Sequence, residues 1–268
     1  MCDLSFKRGF LFKIDSLQDY AFRALILGRL ELHQRYKRSV LGIWWSLATP
    51  LTTVMVYFLV FRELIRIDYF SDSEYIVYLI SGVILVQFTV QTVTLIAESF
   101  ANKVGLIKRI RIQPLLLANG VLFASIFNFF VSLLPLVIML ILQNSLSPRA
   151  FFLIPLLPLM SYFLLAIGLM CAVLYTLFDD SKALIRILIS FLPFFTPVFY
   201  TLDQIPFHFR MIVENSPITF FLTLFRWCIG FPEAIYVRHF GYLIFVVLFI
   251  PLVFFFFNKI WKRVVWLL

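Results

Sequence analysis

Four stretches of this chain run on without a formal charge: Leu41 to Phe61, Tyr75 to Ile96, Leu115 to Leu142 and Phe151 to Leu177. A helix crosses the hydrocarbon core of a bilayer with about 20 apolar residues, so each stretch is a candidate span. A fifth run begins near Ile185 or Leu188 and ends at Tyr200. It is short and carries Pro193 and Pro197. A sixth covers about Phe240 to Phe257. Water is the wrong solvent for such a chain. Only 14% of its residues are charged and 62% are hydrophobic, whereas a soluble domain carries about 25% charged residues.

The charges that exist are placed by topology. Residues 1–40 hold an excess of Lys and Arg, as do residues 97–114 and the tail from Asn258, while 62–74 is acidic and 201–238 is balanced. Positive charge collects on the cytoplasmic side of spans. Six spans with both termini in the cytoplasm fit this pattern; five spans would leave the basic tail outside. The expected fold is therefore all-α and integral to the membrane, one domain over 1–268. It comprises a cytoplasmic N-terminal segment with an interface helix (1–40), a six-span bundle (41–257) and a cytoplasmic tail (258–268). The mixed segment from Thr201 to Arg238, with its apolar patch Ile218 to Phe225, is expected to dip into the membrane from outside and return. Such re-entrant chain is tolerated only where protein or water satisfies its backbone. The first 35 residues carry charges throughout, which speaks against a cleaved signal peptide.

Some chemistry is missing. With the fifth taken from Leu188, none of the six runs contains Asp, Glu, Lys, Arg or His. Ion-coupled transporters need such groups at membrane depth, so that class is disfavoured, although a passive channel is not. Gln87, Gln91, Asn119 and Asn128 read first as interhelical hydrogen-bonding residues. No glycine precedes a lysine, so a phosphate-binding P-loop is absent. His33, His208 and His239 are scattered, and no metal site is expected. Asp179-Asp180 reads as a solvated turn before it reads as a metal or sugar-nucleotide ligand. The net charge of +9 is explained by topology, so no nucleic-acid partner is inferred. Cys2, Cys171 and Cys228 have no pair spacing that argues a disulfide.

One junction stands out. Asp15-Ser16 with Asp19 looks like a helix start, and a helical pattern follows from Leu17 to about Arg35, with Leu17, Ala21, Ala24, Leu25, Gly28 and Leu32 on one side. Such a helix is expected along the inner membrane surface. It ends in Arg35-Tyr36-Lys37-Arg38. Trp44 and Trp45 then suit the headgroup level. Pro50 sits inside the first span, where it should kink or widen the helix.

The stretch RYKRSVLGIWWSLATPL resembles the signature of the membrane subunits of ABC exporters for bacterial cell-surface polysaccharides, through Arg35, Tyr36, Lys37, Ser39, Leu41, Gly42, Trp45 and Pro50. Asn102-Lys103 with Leu106-Ile107-Lys108 resembles that family's second cytoplasmic connection. Phe195 to Tyr200 with Ile205-Pro206, and Asn215 to Ile218 with Phe225-Arg226, resemble its later segments. Two places depart from the family pattern: Arg109 to Pro114, and the tail. The resemblance implies a permease for a lipid-linked polysaccharide, foremost O-antigen, in the bacterial inner membrane. It would work with a second copy of itself and two copies of a separate ATP-binding subunit. ATP and Mg would sit on that partner, with no cofactor and no catalytic residue in this chain. Asp19, Arg23, Lys103, Lys108 and Arg109 would face the ATPase. Arg35, Lys37 and Arg38 would hold the lipid diphosphate. Trp45, Phe195, Phe199 and Tyr200 would line an aromatic path for sugar. A capsular or teichoic-type cargo, a small hydrophobic drug and a non-transporting scaffold are the alternatives.

Overall fold

The structure is a computed structural model that describes residues 17–37, 39–65, 71–110, 113–145, 147–233 and 237–267. Among the described residues every regular element is helical. The interface helix α1 (Leu17–Tyr36) has the sequence-expected limits; Asp15 and Ser16 lie outside the described residues. A 3-10 turn (Gly42–Trp44) leads into α2 (Trp45–Tyr57), which continues as a π-helical stretch (Phe58–Leu64). Then come the long α3 (Asp72–Ile110), the pair α4 (Pro114–Ser132) and α5 (Leu134–Leu142), and α6 (Leu153–Leu177). After α7 (Asp180–Ser190) the chain runs without regular helix from 191 to 201. Two short helices, α8 (Phe207–Glu214) and α9 (Pro217–Cys228), precede the last, α10 (Val237–Leu267).

Among the described residues five helical stretches are long and apolar enough to cross a bilayer: Gly42–Leu64, Asp72–Asn102, Pro114–Leu142, Pro148–Leu177 and His239–Trp261. They correspond to five of the six apolar runs. The fifth run is not one helix. Pro193 and Pro197 lack the N–H groups that a continuous helix needs, and only α7, 11 residues long, is regular there. The ends of that run nevertheless meet opposite ends of α3. Arg186 Nη2 lies 3.3 Å from Glu98 Oε1, whereas the Phe199 carbonyl accepts from Tyr75 Oη at 3.0 Å. About 34 Å of helix rise separates Tyr75 from Glu98.

α3 is the post on which the others pack. Leu79, Ile84, Leu85, Ile96 and Phe100 are all buried, and α2, α4, α6 and α9 all contact α3. α10 runs back along α6, from His239 and Tyr242 beside Phe220 to Phe257 and Trp261 against Phe100. α9 has only 12 residues, too few to cross, and is tucked among α3, α6 and α10.

The interface helix lies on α4. Ala24 and Gly28 are its buried residues, whereas Ala21 and Leu25, expected on the same side, face outward. Small residues decide the packed face because they let two backbones approach. A Cβ on Gly28 would come within 2.9 Å of the Gly120 carbonyl oxygen, and one on Gly120 within 2.7 Å of Leu27 Cβ. Phe22, Leu25, Ile26 and Leu30 are left exposed on the far side. Gly120→Val should therefore overpack this contact at a cost of about 1–3 kcal/mol, read as a lower midpoint in a detergent thermal melt. Gly241→Ala is the control, because its added Cβ meets nothing within 4 Å.

Candidate functional site

Two buried polar nodes organise the molecule, one at each end of α2. At the first, Pro50 cannot donate to the carbonyl four residues earlier, that of Ser46. Ser132 Oγ supplies the missing donor at 2.7 Å. The Tyr36 hydroxyl, the Ser46 hydroxyl and the Asn128 side-chain carbonyl close a triangle of 2.7, 3.1 and 3.3 Å. The end of α1 is thus bonded to the start of the first span and to the last turns of α4. Between them, Gly42 adopts φ +51°, a conformation that favours glycine, and its N–H donates to Ser39 Oγ at 3.0 Å. This chemistry explains Tyr36, Ser39, Gly42 and Pro50 of the junction motif. Pro50 does not end the helix; the widening comes two turns later, where Ile65 N–H donates to the Val60 carbonyl, five residues back.

The second node caps the irregular half of the fifth run. Four successive carbonyls, at residues 197–200, have no helical donor, and each accepts from a side chain. Tyr78 Oη donates to Pro197 O at 3.2 Å and Tyr200 O at 2.8 Å. Tyr75 Oη donates to Phe199 O. Arg226 Nη1 donates to Pro197 O at 2.8 Å, and Nη2 donates to Val198 O at 3.3 Å and Tyr78 O at 3.1 Å. Arg226 Nε donates to Ser81 Oγ, the guanidinium carbon lies 3.4 Å from the Tyr78 ring centre, and Glu233 is 3.9 Å away. Only 1% of Arg226 is exposed. A buried charge is tolerable when its donors are used and an opposite charge is near, and both conditions hold here. Sequence reasoning counted Arg226 among the cations of an external connection. The available signal was the Tyr75/Tyr78 pair, three apart on one helix face, ahead of a run broken by two prolines.

The model of the ABC-2 type transporter family matches residues 23–230. The chain belongs to the ABC-2 type transporter family. Among its relatives are two Klebsiella pneumoniae proteins, each named O-antigen export system permease protein RfbA. They are 24% and 25% identical over 212 residues, covering 77% of this chain and 80% of each relative. This ABC-2 chain is accordingly a multi-pass membrane protein and a transporter permease.

The ABC-2 fold scatters the residues expected to act together. Arg35 is half-buried at the first node, with its Nη2 buried and without a hydrogen-bond partner. Lys37 is exposed, and Arg38 lies outside the described residues. Asp19 is exposed and Arg23 half-buried on α1. Lys103, Lys108 and Arg109 fall on the last turns of α3, with side chains outside the described residues. Trp45 is exposed at the start of α2, far from the other aromatics. Phe195 and Tyr200 share an apolar pocket with Phe194 and Phe209. Phe199 is buried instead, stacked on Phe61 at 4.1 Å with Tyr57 and Phe194 at its edges. Gln87 reaches across to Thr53 Oγ1 at 3.1 Å, an interhelical bond of the expected kind. Asp179 and Asp180 are exposed, and the Lys182 ammonium at 2.8 Å holds the Asp179 carboxyl below its ordinary value, as in a solvated turn. Among the described residues no group of three His, Cys, Asp or Glu could hold a metal.

Arg226→Leu should orphan the Val198 carbonyl and leave Pro197 O with Tyr78 Oη alone, at about 1–3 kcal/mol per orphaned group, seen as a drop in the thermal midpoint. Arg226→Lys should recover little of it, since an ammonium cannot reproduce the planar fork.

Proposed function

We propose that this chain is the membrane-spanning subunit of an ATP-driven exporter that moves a lipid-linked polysaccharide, O-antigen foremost, across the bacterial inner membrane. The observation that carries the reading is the family match over residues 23–230, joined by relatives named as O-antigen export permeases along most of their length. The chain forms one domain, and its energy comes from two copies of a separate ATP-binding subunit that hold ATP and Mg. α1 and the end of α3, with Asp19, Arg23, Lys103, Lys108 and Arg109, form the surface on which that subunit docks. A second copy of the chain completes the path. The exposed apolar face of α2, with Trp44, Trp45, Leu51, Met55, Val56 and Leu59, supports a partner or lipid on that side.

Six crossings place both termini in the cytoplasm. The fifth is α7 followed by the side-chain-capped stretch to Tyr200, supported by the contacts of Arg186 and Phe199 with opposite ends of α3. α8 and α9 form the re-entrant segment on the outer side, and α10 returns the chain.

At the inner boundary Arg35, Lys37 and Arg38 hold the diphosphate of the lipid anchor. The unpartnered Arg35 Nη2 supports this, because charge-assisted bonds to phosphate would satisfy it. Beyond them, Trp45, Phe195 and Tyr200 present aromatic faces to sugar rings, with Phe199 packed behind against Phe61.

The test is reconstitution with the ATPase in proteoliposomes loaded with a lipid-linked glycan. Transfer of glycan is expected only with ATP and both subunits; its absence would refute the exporter reading. Replacing Arg35, Lys37 and Arg38 together by Gln should lower transfer about tenfold, the weight of one or two charge-assisted hydrogen bonds, with insertion and ATPase assembly intact. Unchanged transfer would remove these residues from phosphate binding.

A further inference from the structure

A cavity of about 250 Å³ opens beside the second node, between α3, α8, α9 and the start of α10. Its wall is unlike the rest of this apolar protein. Arg210 is held there by Asp203 at 3.1 Å and Glu214 at 2.8 Å, and Arg226 stands near Glu233. The described charges on the wall therefore nearly cancel: three carboxylates face two guanidiniums and His239. Such a cavity offers donors and acceptors in similar number but no excess positive charge for a phosphate or carboxylate. Phe220, Phe231 and Tyr242 also contribute to the lining. One wall hydroxyl has no partner: Thr219, 3% exposed, leaves its Oγ1 without a hydrogen bond.

We propose that this cavity is a binding site for an uncharged pyranose, one sugar unit of a glycan on the outer side of the membrane. Mixed carboxylate and guanidinium groups suit a ring whose hydroxyls each donate and accept. Aromatic side chains suit its apolar face, as small-molecule sites combine an apolar wall with a few placed polar groups. A hydrophobic drug would leave Thr219 Oγ1 without a partner and strip solvent from the wall's charged pairs. An anionic sugar would bring charge to a site already balanced. The occupant's class rests on the exporter reading above, whereas the site rests on the cavity. Held at a side pocket, a sugar unit would slow the chain's slip back between power strokes without blocking the path.

The test uses the purified full chain in lipid nanodiscs, titrated with the methyl glycosides of glucose, mannose, galactose and rhamnose and, separately, with inorganic phosphate, followed by saturation-transfer NMR. Saturable binding of at least one pyranoside in the millimolar range is expected, and none of phosphate. Thr219→Val keeps the side-chain shape and removes only the unpartnered hydroxyl, and should weaken binding about fivefold, the worth of one neutral hydrogen bond. Thr219→Ser should restore it. Phe231→Leu, which removes one ring, should weaken it independently. Saturation by no pyranoside would mean that the cavity holds water only and would overturn the proposal. So would saturation by phosphate, or pyranoside binding indifferent to both Thr219→Val and Phe231→Leu. None of these failures touches ATP-dependent glycan transfer in proteoliposomes, which tests the exporter reading by itself.

Discussion

A backbone carbonyl inside a bilayer must find a donor within the protein, since hydrocarbon offers none. The described residues are arranged around a long stretch where the helix does not supply that donor. Residues 191–201 carry two prolines and no regular helix. Tyr75, Tyr78 and Arg226 take over the helix's role for the carbonyls of 197–200. Arg226 comes from α9, so capping the stretch also fixes α9 against α3. One guanidinium thus ties α9 both to α3 and to the capped stretch, which the Tyr75 and Tyr78 hydroxyls already join to each other. It is buried because its donors are used.

The same constraint acts on a smaller scale at the other end of α2. Pro50 frees one carbonyl, and Ser132 of α4 satisfies it. The hydroxyls and amide gathered there tie Tyr36 into the bundle, and the close approach of Gly28 to Gly120 presses the rest of α1 onto α4. α1 is then a lever bolted at two places to the same helix. A displacement of α1 reaches the first span through these hydrogen bonds, whose directionality transmits it better than non-directional apolar contact.

Much of this was legible in the residues. Length and the lack of charge located four spans and the last one, because those properties belong to each segment alone. The limits of α1 and the motif from Arg35 to Pro50 were local too. Pro193 and Pro197 marked the fifth run as uncomfortable. What escaped was non-local. Arg226 lies in a segment of mixed charge and looks like a loop cation until α9 carries it to Tyr78 and Ser81, far back in the chain. The packed face of α1 was misjudged at Ala21 and Leu25 because apolar periodicity draws a wide stripe, whereas the contact with α4 is a narrow one centred on Ala24 and Gly28. Phe199 looked like the other aromatics of its run, but its burial against Phe61 follows from how the capped stretch folds back on α2.

The proposed fifth crossing is tested most directly by side-specific labelling of single cysteines at Asp180 and Asp203, which flank it, in a chain whose native cysteines have been replaced. With Arg186 against Glu98 and residues 197–200 capped beside Tyr75, about 34 Å of α3 away, an impermeant maleimide should reach Asp203→Cys only from outside the membrane. It should reach Asp180→Cys only from the cytoplasmic side. Labelling of both positions from the same face would contradict a crossing between them.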